Sequence, residues 1–229
     1  MDLRYARNLG TLGKEGQKKL ACTHVAIAGA GGLGGTVFEI MVRAGVGKIT
    51  IIDFDVFEPT NLNRQLLATE KTLGQNKAVA AAERASEVNS EVEAVARQER
   101  LTDANAEKLL AGTDLILDCL GNIRDRFALE RAARKLEIPM VHAAVAGMRG
   151  QIMVVRPEGP GLEAIYGSES QAPASGEETT FGTPPASAMA IAALQANEAI
   201  KLLTGRSELM KDNISRIDLN NFSISRFTI

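Results

Sequence analysis

Residues 24–29, His-Val-Ala-Ile-Ala-Gly, form a short apolar run that leads straight into Gly29-Ala-Gly31-Gly32-Leu-Gly34. A helical pattern follows. A G-x-G-x-x-G sequence in that position restricts the chain to strand, tight turn and helix. The glycines permit close backbone approach to a phosphate, and the amides at the helix N-terminus attract its charge. Asp53 lies 19 positions after Gly34, at the end of a second apolar run over Lys48–Asp53. A carboxylate there can accept hydrogen bonds from ribose hydroxyls. The glycine loop alone does not separate a dinucleotide from ATP. Its structural alternative is a turn that only lets helix and sheet pack closely.

The remaining pattern alternates. Leu33–Ala44 reads as a helix, Gln75–Asn89 as an alanine-rich helix, Glu91–Arg97 as a strand and Thr102–Leu110 as a helix opened by a threonine cap. Asp114–Cys119 is a strand, Arg124–Glu137 a helix and Pro139–Ala144 a strand. This alternation predicts an α/β fold: a Rossmann-like, mostly parallel sheet with helices on both faces. Gly150–Val155, Ile214–Leu219 and Phe222–Thr228 extend it with antiparallel C-terminal strands, the last two joined by a type I′ turn at Asn220-Asn221. Residues 1–20 form an N-terminal helical arm, broken near Gly10 and Gly13. Residues 157–186, rich in proline and glycine, read as a flexible crossing loop without regular structure. Ser187–Leu203 is an apolar core helix closed by Gly205. No repeat divides the chain, so a single domain over 1–229 is expected.

Composition removes several functions. The net charge is −2 and Trp is absent, which argues against nucleic acid as a partner. No apolar run approaches the roughly 20 residues needed to cross a bilayer, so no membrane association is expected. No apolar signal segment follows Met1, and a reducing, cytoplasmic setting is expected. The two cysteines, Cys22 and Cys119, form no C-x-x-C pair, so no zinc is expected.

The segment behind the second strand carries more. Asp53-Phe-Asp55 is followed by Asn61-Leu-Asn63-Arg64-Gln65 and by Gly74-Gln75-Asn76-Lys77. Arg64 offers a planar fork of donors and Lys77 a mobile point charge, and both can converge on a triphosphate. A dinucleotide-dependent dehydrogenase has little need of such a cluster just beyond the ribose acid.

At these residues the chain resembles the family of MoeB, ThiF, HesA and the ubiquitin-activating enzymes. The motifs are Arg4-Tyr5-Ala6-Arg7-Asn8, the glycine loop, Asp53-Phe-Asp55, Asn61 to Gln65, Lys77, Asn122 followed by Arg126, and Gln195-Ala-Asn-Glu198-Ala-Ile. They run from Arg4 to about Gly205. The resemblance implies ATP- and magnesium-dependent adenylation of a small ubiquitin-like carrier protein ending in Gly-Gly, with release of pyrophosphate. It implies ATP binding by Gly29, Gly31, Gly32, Gly34, Asp53, Asp55, Asn61, Asn63, Arg64, Gln65, Lys77 and Asn122. It gives catalytic roles to Arg64, Lys77 and Arg7, the last supplied to the neighbouring subunit's site in a homodimer.

The chain also departs from that pattern. Many members carry Asp-x-x-Asp-Asn after the fourth strand, the second Asp being tied to magnesium and catalysis. Here the segment is Asp118-Cys-Leu-Gly121-Asn122, which leaves Asp118 as the candidate metal ligand and Asp125 one turn downstream. Related enzymes often hold zinc through two C-x-x-C pairs and place a cysteine in the crossing loop. Residues 157–229 contain no cysteine, and Thr179, Thr180 and Thr183 are poor nucleophiles. Cys119 reads as a packed thiol, and His24 and His142, at strand edges, are given no role. Two rival functions stand beside adenylation: a catalytically impaired relative that binds nucleotide or carrier, motivated by Gly121, and an NAD-dependent oxidoreductase, motivated by the glycine loop alone.

Overall fold

The computed structural model describes residues 3–173, 176–206 and 213–229. Eight strands form one sheet in the order β3-β2-β1-β4-β5-β6-β7-β8: His24–Ala28 (β1), Lys48–Ile52 (β2), Glu93–Arg97 (β3), Leu115–Asp118 (β4), Met140–Ala146 (β5), Arg149–Val155 (β6), Asn213–Asp218 (β7) and Ser223–Thr228 (β8). The first five are parallel and the last three antiparallel. The strand order reverses between β1 and β4. The helices that follow them, α2 (Gly32–Ala44) and α5 (Ile123–Lys135), pack on opposite faces of the sheet, and such folds bind ligands in the crevice between the two connections.

The alternation along each strand sorts side chains into two cores. Val25, Ile27, Ile49, Ile51, Leu115 and Leu117 face helices Gly32–Ala44 (α2), Lys77–Val88 (α3) and Pro185–Leu203 (α8). Ala26, Ala28, Ile52, Ile116 and Met140 face helices Ala106–Leu110 (α4) and Ile123–Lys135 (α5). Small residues on the second face of β1 let α5 approach closely. The alanines of α3, Ala78, Ala81 and Ala85, do the same against α2.

The N-terminal arm is a 3-10 turn at Leu3–Tyr5 and helix Leu9–Ala21 (α1), broken at Gly13 but not at Gly10. It is tied to the body by Gln17, which donates to the Ala44 carbonyl at 2.7 Å, and by the Tyr5 hydroxyl, which accepts from Asn89 at 2.8 Å.

Three expectations are corrected. The 157–186 segment contains two short helices, Glu163–Tyr166 (α6) and Glu178–Phe181 (α7). Leu162 anchors α6 in the core, and its amide donates to the buried Glu130 carboxylate at 3.0 Å. Helix α4 begins at Ala106, because Thr102 and Asn105 close a separate turn ahead of it instead of capping it. The β7–β8 connection spans four residues with a positive φ at Phe222, and neither Asn220 nor Asn221 takes the left-handed backbone that a type I′ turn needs. Among the described residues no helix is long and apolar enough to cross a membrane.

Candidate active site

A cleft of about 600 Å³ opens at the β1/β4 switch point. Its floor is the glycine loop, and two of the glycines are required by packing. Gly29 has φ +93, and a Cβ there would lie 2.6 Å from the Cys119 carbonyl; a Cβ on Gly34 would lie 1.8 Å from the Gly29 carbonyl. Gly34 therefore brings α2 against the loop and does not face the cleft. Gly31 and Gly32 differ. A Cβ on either would meet nothing closer than 3.7 Å, so the protein itself does not demand glycine there. Both line the cleft at the N-terminus of α2, where bare backbone and the helix dipole suit an anion.

Asp53 stands at the end of β2. One carboxylate oxygen accepts the Ala30 amide at 2.7 Å and the other accepts the Asp55 amide at 2.9 Å. Burial raises its pKa, against these hydrogen bonds and the nearby Lys77 charge. The side chain holds the glycine loop in register with the strand end and still borders the cleft.

Asn76 then fixes the next element. Its Nδ2 donates to the carbonyls of Asp53 and Asp55, both at 3.1 Å, while its Oδ1 caps α3 by accepting the Ala78 and Val79 amides. That clamp places Lys77, the first residue of α3, in the cleft with its ammonium 3.2 Å from Asp55.

Across the cleft, Arg64 is half-buried and held by the Thr60 carbonyl at 2.9 Å and by Asn63 Oδ1 at 2.8 Å. Asn61 borders the cleft, but its Oδ1 accepts the Glu58 amide and so caps a 3-10 turn. Asn63 is exposed and orients Arg64 without lining the cleft. Gln65 is buried, and its Oε1 is the one buried side-chain polar atom without a hydrogen-bond partner among the described residues. Such an orphan costs about 1–3 kcal/mol unless something fills it. The Gln65 carboxamide is next to Gly31, with its Nε2 3.8 Å from a Cβ placed on that glycine, and Gln65 itself lines the cleft. Asn122 lines the far wall and caps α5 by accepting from the Arg124 and Asp125 amides.

The structure does not bring Asp118 or Arg7 into this cleft. Arg7 is exposed on the turn before α1. Asp118 is fully buried on the inner face of β4. Its Oδ2 accepts from His142 Nδ1 at 2.7 Å and its Oδ1 accepts the Leu120 amide at 3.1 Å. The β4–β5 register pairs Asp118 with His142, which is why the two side chains adjoin. Asp118 is thus a buried partner of His142 and not an open metal ligand. His142 is likewise not at a strand edge but inside β5 and fully buried. Burial lowers its pKa, the contact with Asp118 opposing. Asp125 is engaged by Arg100 at 3.1 Å. Among the described residues no group of three or more His, Cys, Asp or Glu side chains is arranged to hold a metal. The described residues form no ready-made cage for magnesium, and a metal arriving with a nucleotide would be held chiefly by phosphate oxygens.

Gly121 borders the cleft with no heavy atom within 4 Å of a Cβ placed on it. Cys119 is buried under Gln195, whose Oε1 accepts from Sγ at 3.4 Å. Burial pushes the thiol pKa far up, and Asp118 adds to it, so the reactive thiolate is suppressed. Gln195 also donates to the Asp118 and Val141 carbonyls, both at 2.9 Å, joining the tips of β4 and β5 to α8.

A larger cavity of about 820 Å³ adjoins the cleft, between β5–β8 and the α6–α7 segment. Arg126, Val145 and Glu178 line both. The sequence had no signal for this neighbour, since it depends on how α6 and α7 lie across the sheet.

Comparison with known proteins bears on the family and the fold. A family model described as the ThiF family matches residues 5–229. A sulfur carrier protein adenylyltransferase of Thermus thermophilus is 32% identical, over 99% of this chain and 86% of its own length. A SAMP-activating enzyme E1 of Haloferax volcanii is 30% identical over 90% of this chain and 77% of its own. Among solved structures, Escherichia coli MccB with ATP superposes with a TM-score of 0.84 at 23% identity, covering 99% of this chain and 72% of that one. That likeness concerns the fold. On the match across nearly its whole length, the chain belongs to the ThiF family.

Proposed function

We propose that this chain uses ATP to adenylate the C-terminal carboxylate of a small ubiquitin-like sulfur carrier ending in Gly-Gly, releasing pyrophosphate. The observation that carries the reading is the meeting of two cavities at Arg126. One is floored by bare glycine amides and flanked by Arg64 and Lys77, and the other is open to a polypeptide tail. The relatives named as adenylyltransferase and E1 support it.

The reaction needs no covalent protein intermediate. A carboxylate oxygen forms a bond to the α-phosphorus, the bond to the bridging oxygen breaks, and pyrophosphate leaves with the electron pair. Two anions must approach each other, so the protein's task is charge neutralisation and alignment. The amides at Gly31 and Gly32, with Arg64 and Lys77, hold phosphate oxygens. Asp53 accepts from the ribose. Gln65 Oε1 gains its missing partner. The tail lies in the second cavity beneath α7, shielded from water. We place the reaction in a cytoplasmic homodimer, with Arg7 reaching the partner's cleft, which its exposure on the arm allows.

A second reading is a nucleotide- and carrier-binding relative with impaired catalysis, favoured by Gly121 alone. Hydroxylamine trapping separates the two. With ATP, magnesium and a Gly-Gly-ending ubiquitin-like protein from the same genome, mass spectrometry should find the carrier as its C-terminal hydroxamate. Nucleotide binding without hydroxamate would favour the second reading.

A further inference from the structure

Five polar groups around Arg126 form a closed ring that the adenylation chemistry does not by itself require. The Arg126 Nε and Nη2 both donate to the Leu120 carbonyl, at 3.0 and 2.6 Å, and Nη1 donates to the Tyr166 hydroxyl. Tyr166 in turn faces His142 Nε2 at 3.2 Å. His142 Nδ1 meets Asp118 Oδ2 at 2.7 Å, and Asp118 Oδ1 accepts the Leu120 amide at 3.1 Å. The ring thus closes on the backbone of one residue, Leu120, which lines the nucleotide cleft.

The directions are determined by chemistry. Asp118 as a carboxylate only accepts, so Nδ1 of His142 carries the proton. A neutral imidazole then has its lone pair on Nε2, and the Tyr166 hydroxyl donates to it. The Tyr166 oxygen accepts from Arg126 and from Gln151 Nε2 at 3.2 Å. Each hydrogen bond of the ring then has one direction. Asp118, His142 and Arg126 are each more than nine-tenths buried, so these bonds are not traded against water.

The ring joins β4, the β4–α5 turn, α5, β5 and α6 of the crossing segment. Tyr166 lines only the second cavity, while Arg126 lines both. We propose that Tyr166, backed by His142 and Asp118, is a positioning residue that holds the Arg126 guanidinium where the incoming carboxylate meets the nucleotide. This rests on the adenylation reading above. Tyr166 does not line the nucleotide cleft. It acts through Arg126, by fixing the plane of the guanidinium and by binding the wall of the tail cavity to the nucleotide site. Without the hydroxyl, Arg126 keeps its charge, the Leu120 carbonyl and its 3.9 Å approach to Asp118, but Nη1 loses its partner.

The test is Tyr166→Phe, which keeps the ring and its edge contacts to Phe127 and His142. Carrier-dependent pyrophosphate–ATP exchange in the full-length protein should lose kcat on the order of 10- to 100-fold, the scale of a small misalignment. KM for ATP should stay within about twofold, because Tyr166 does not line that cleft. A control, Leu110→Val, lies in the same core layer but away from the ring and should keep the wild-type rate. Separately, 15N spectra of the wild type should show His142 as the Nδ1–H tautomer, and Tyr166→Phe should shift the Nε2 resonance. A wild-type kcat in Tyr166→Phe, or an Nε2–H tautomer in the wild type, would overturn the proposal while leaving adenylation intact. A wild type that exchanges no pyrophosphate would overturn the adenylation reading, and the proposal with it.

Discussion

The Lys77 ammonium sits 3.2 Å from the Asp55 carboxylate, and the two partners differ sharply in exposure: the lysine side chain is 9% exposed and the aspartate 49%. A buried cation held by a solvated carboxylate can exchange that partner for phosphate at little cost, since the aspartate is rehydrated as it leaves. Lys77→Ala should therefore weaken ATP binding by about 1–3 kcal/mol, the scale of a charge-assisted contact. Isothermal titration measures it, and unchanged affinity would mean that the phosphates lie elsewhere.

Gly121 borders the cleft with open space about its Cα and without a positive φ. An aspartate can occupy the position without strain, and its side chain would enter the cleft opposite the glycine loop. Gly121→Asp should raise the adenylation rate on the order of tenfold and tighten its magnesium dependence. Magnesium titrations of the exchange rate in both proteins decide the matter. Identical curves would show that the glycine does not limit the chemistry.

Arg7 is exposed and does not line the cleft of its own chain. In a composite site, Arg7→Ala and Arg64→Ala should each abolish adenylation alone. Mixed and re-equilibrated, they should recover up to about a quarter of the wild-type rate, because half the dimers are mixed and each mixed dimer retains one intact site. Activity in a monomeric fraction on analytical ultracentrifugation would contradict the shared site.

His142 gives the fold a pH dependence. Burial holds its native pKa below the unfolded value of about 6.5, with Asp118 opposing and the Arg126 charge adding to the depression. Below pH 6.5 the unfolded chain takes up a proton that the native chain refuses, so stability falls as pH falls. His142→Gln should be less stable at pH 7, but its stability should change less between about pH 6.5 and 5. Urea unfolding across that range measures the slope, and equal slopes would show that His142 is already protonated in the native state.

The sequence made the parallel half of the fold legible because each β–α unit carries its own signals: an apolar run, a glycine or asparagine at the turn, an apolar helical face. Gly29, Gly31, Gly32, Asp53, Arg64, Gln65 and Lys77, all singled out in the sequence, line one cleft. What escaped depends on pairing between distant segments. Asp118 reads as a strand-end ligand until the β4–β5 register sets it against His142. Tyr166 reads as a loop residue until α6 lays it over Arg126. The motif also hid the turn-building work of Asn61, which accepts the Glu58 amide while bordering the cleft, and of Asn63, which accepts from Arg64. Asn76, the clamp behind Lys77, was hidden because its partners are backbone carbonyls.

Pyrophosphate–ATP exchange with a purified ubiquitin-like carrier tests the adenylation account most directly, because label enters ATP only if a carboxylate has attacked the α-phosphate reversibly. The account predicts exchange that needs ATP, magnesium and a carrier with a free Gly-Gly carboxylate, and that disappears when the same carrier is amidated at its C-terminus. Exchange that persists with the amidated carrier, or no exchange with any Gly-Gly-ending protein of the same genome, would contradict it.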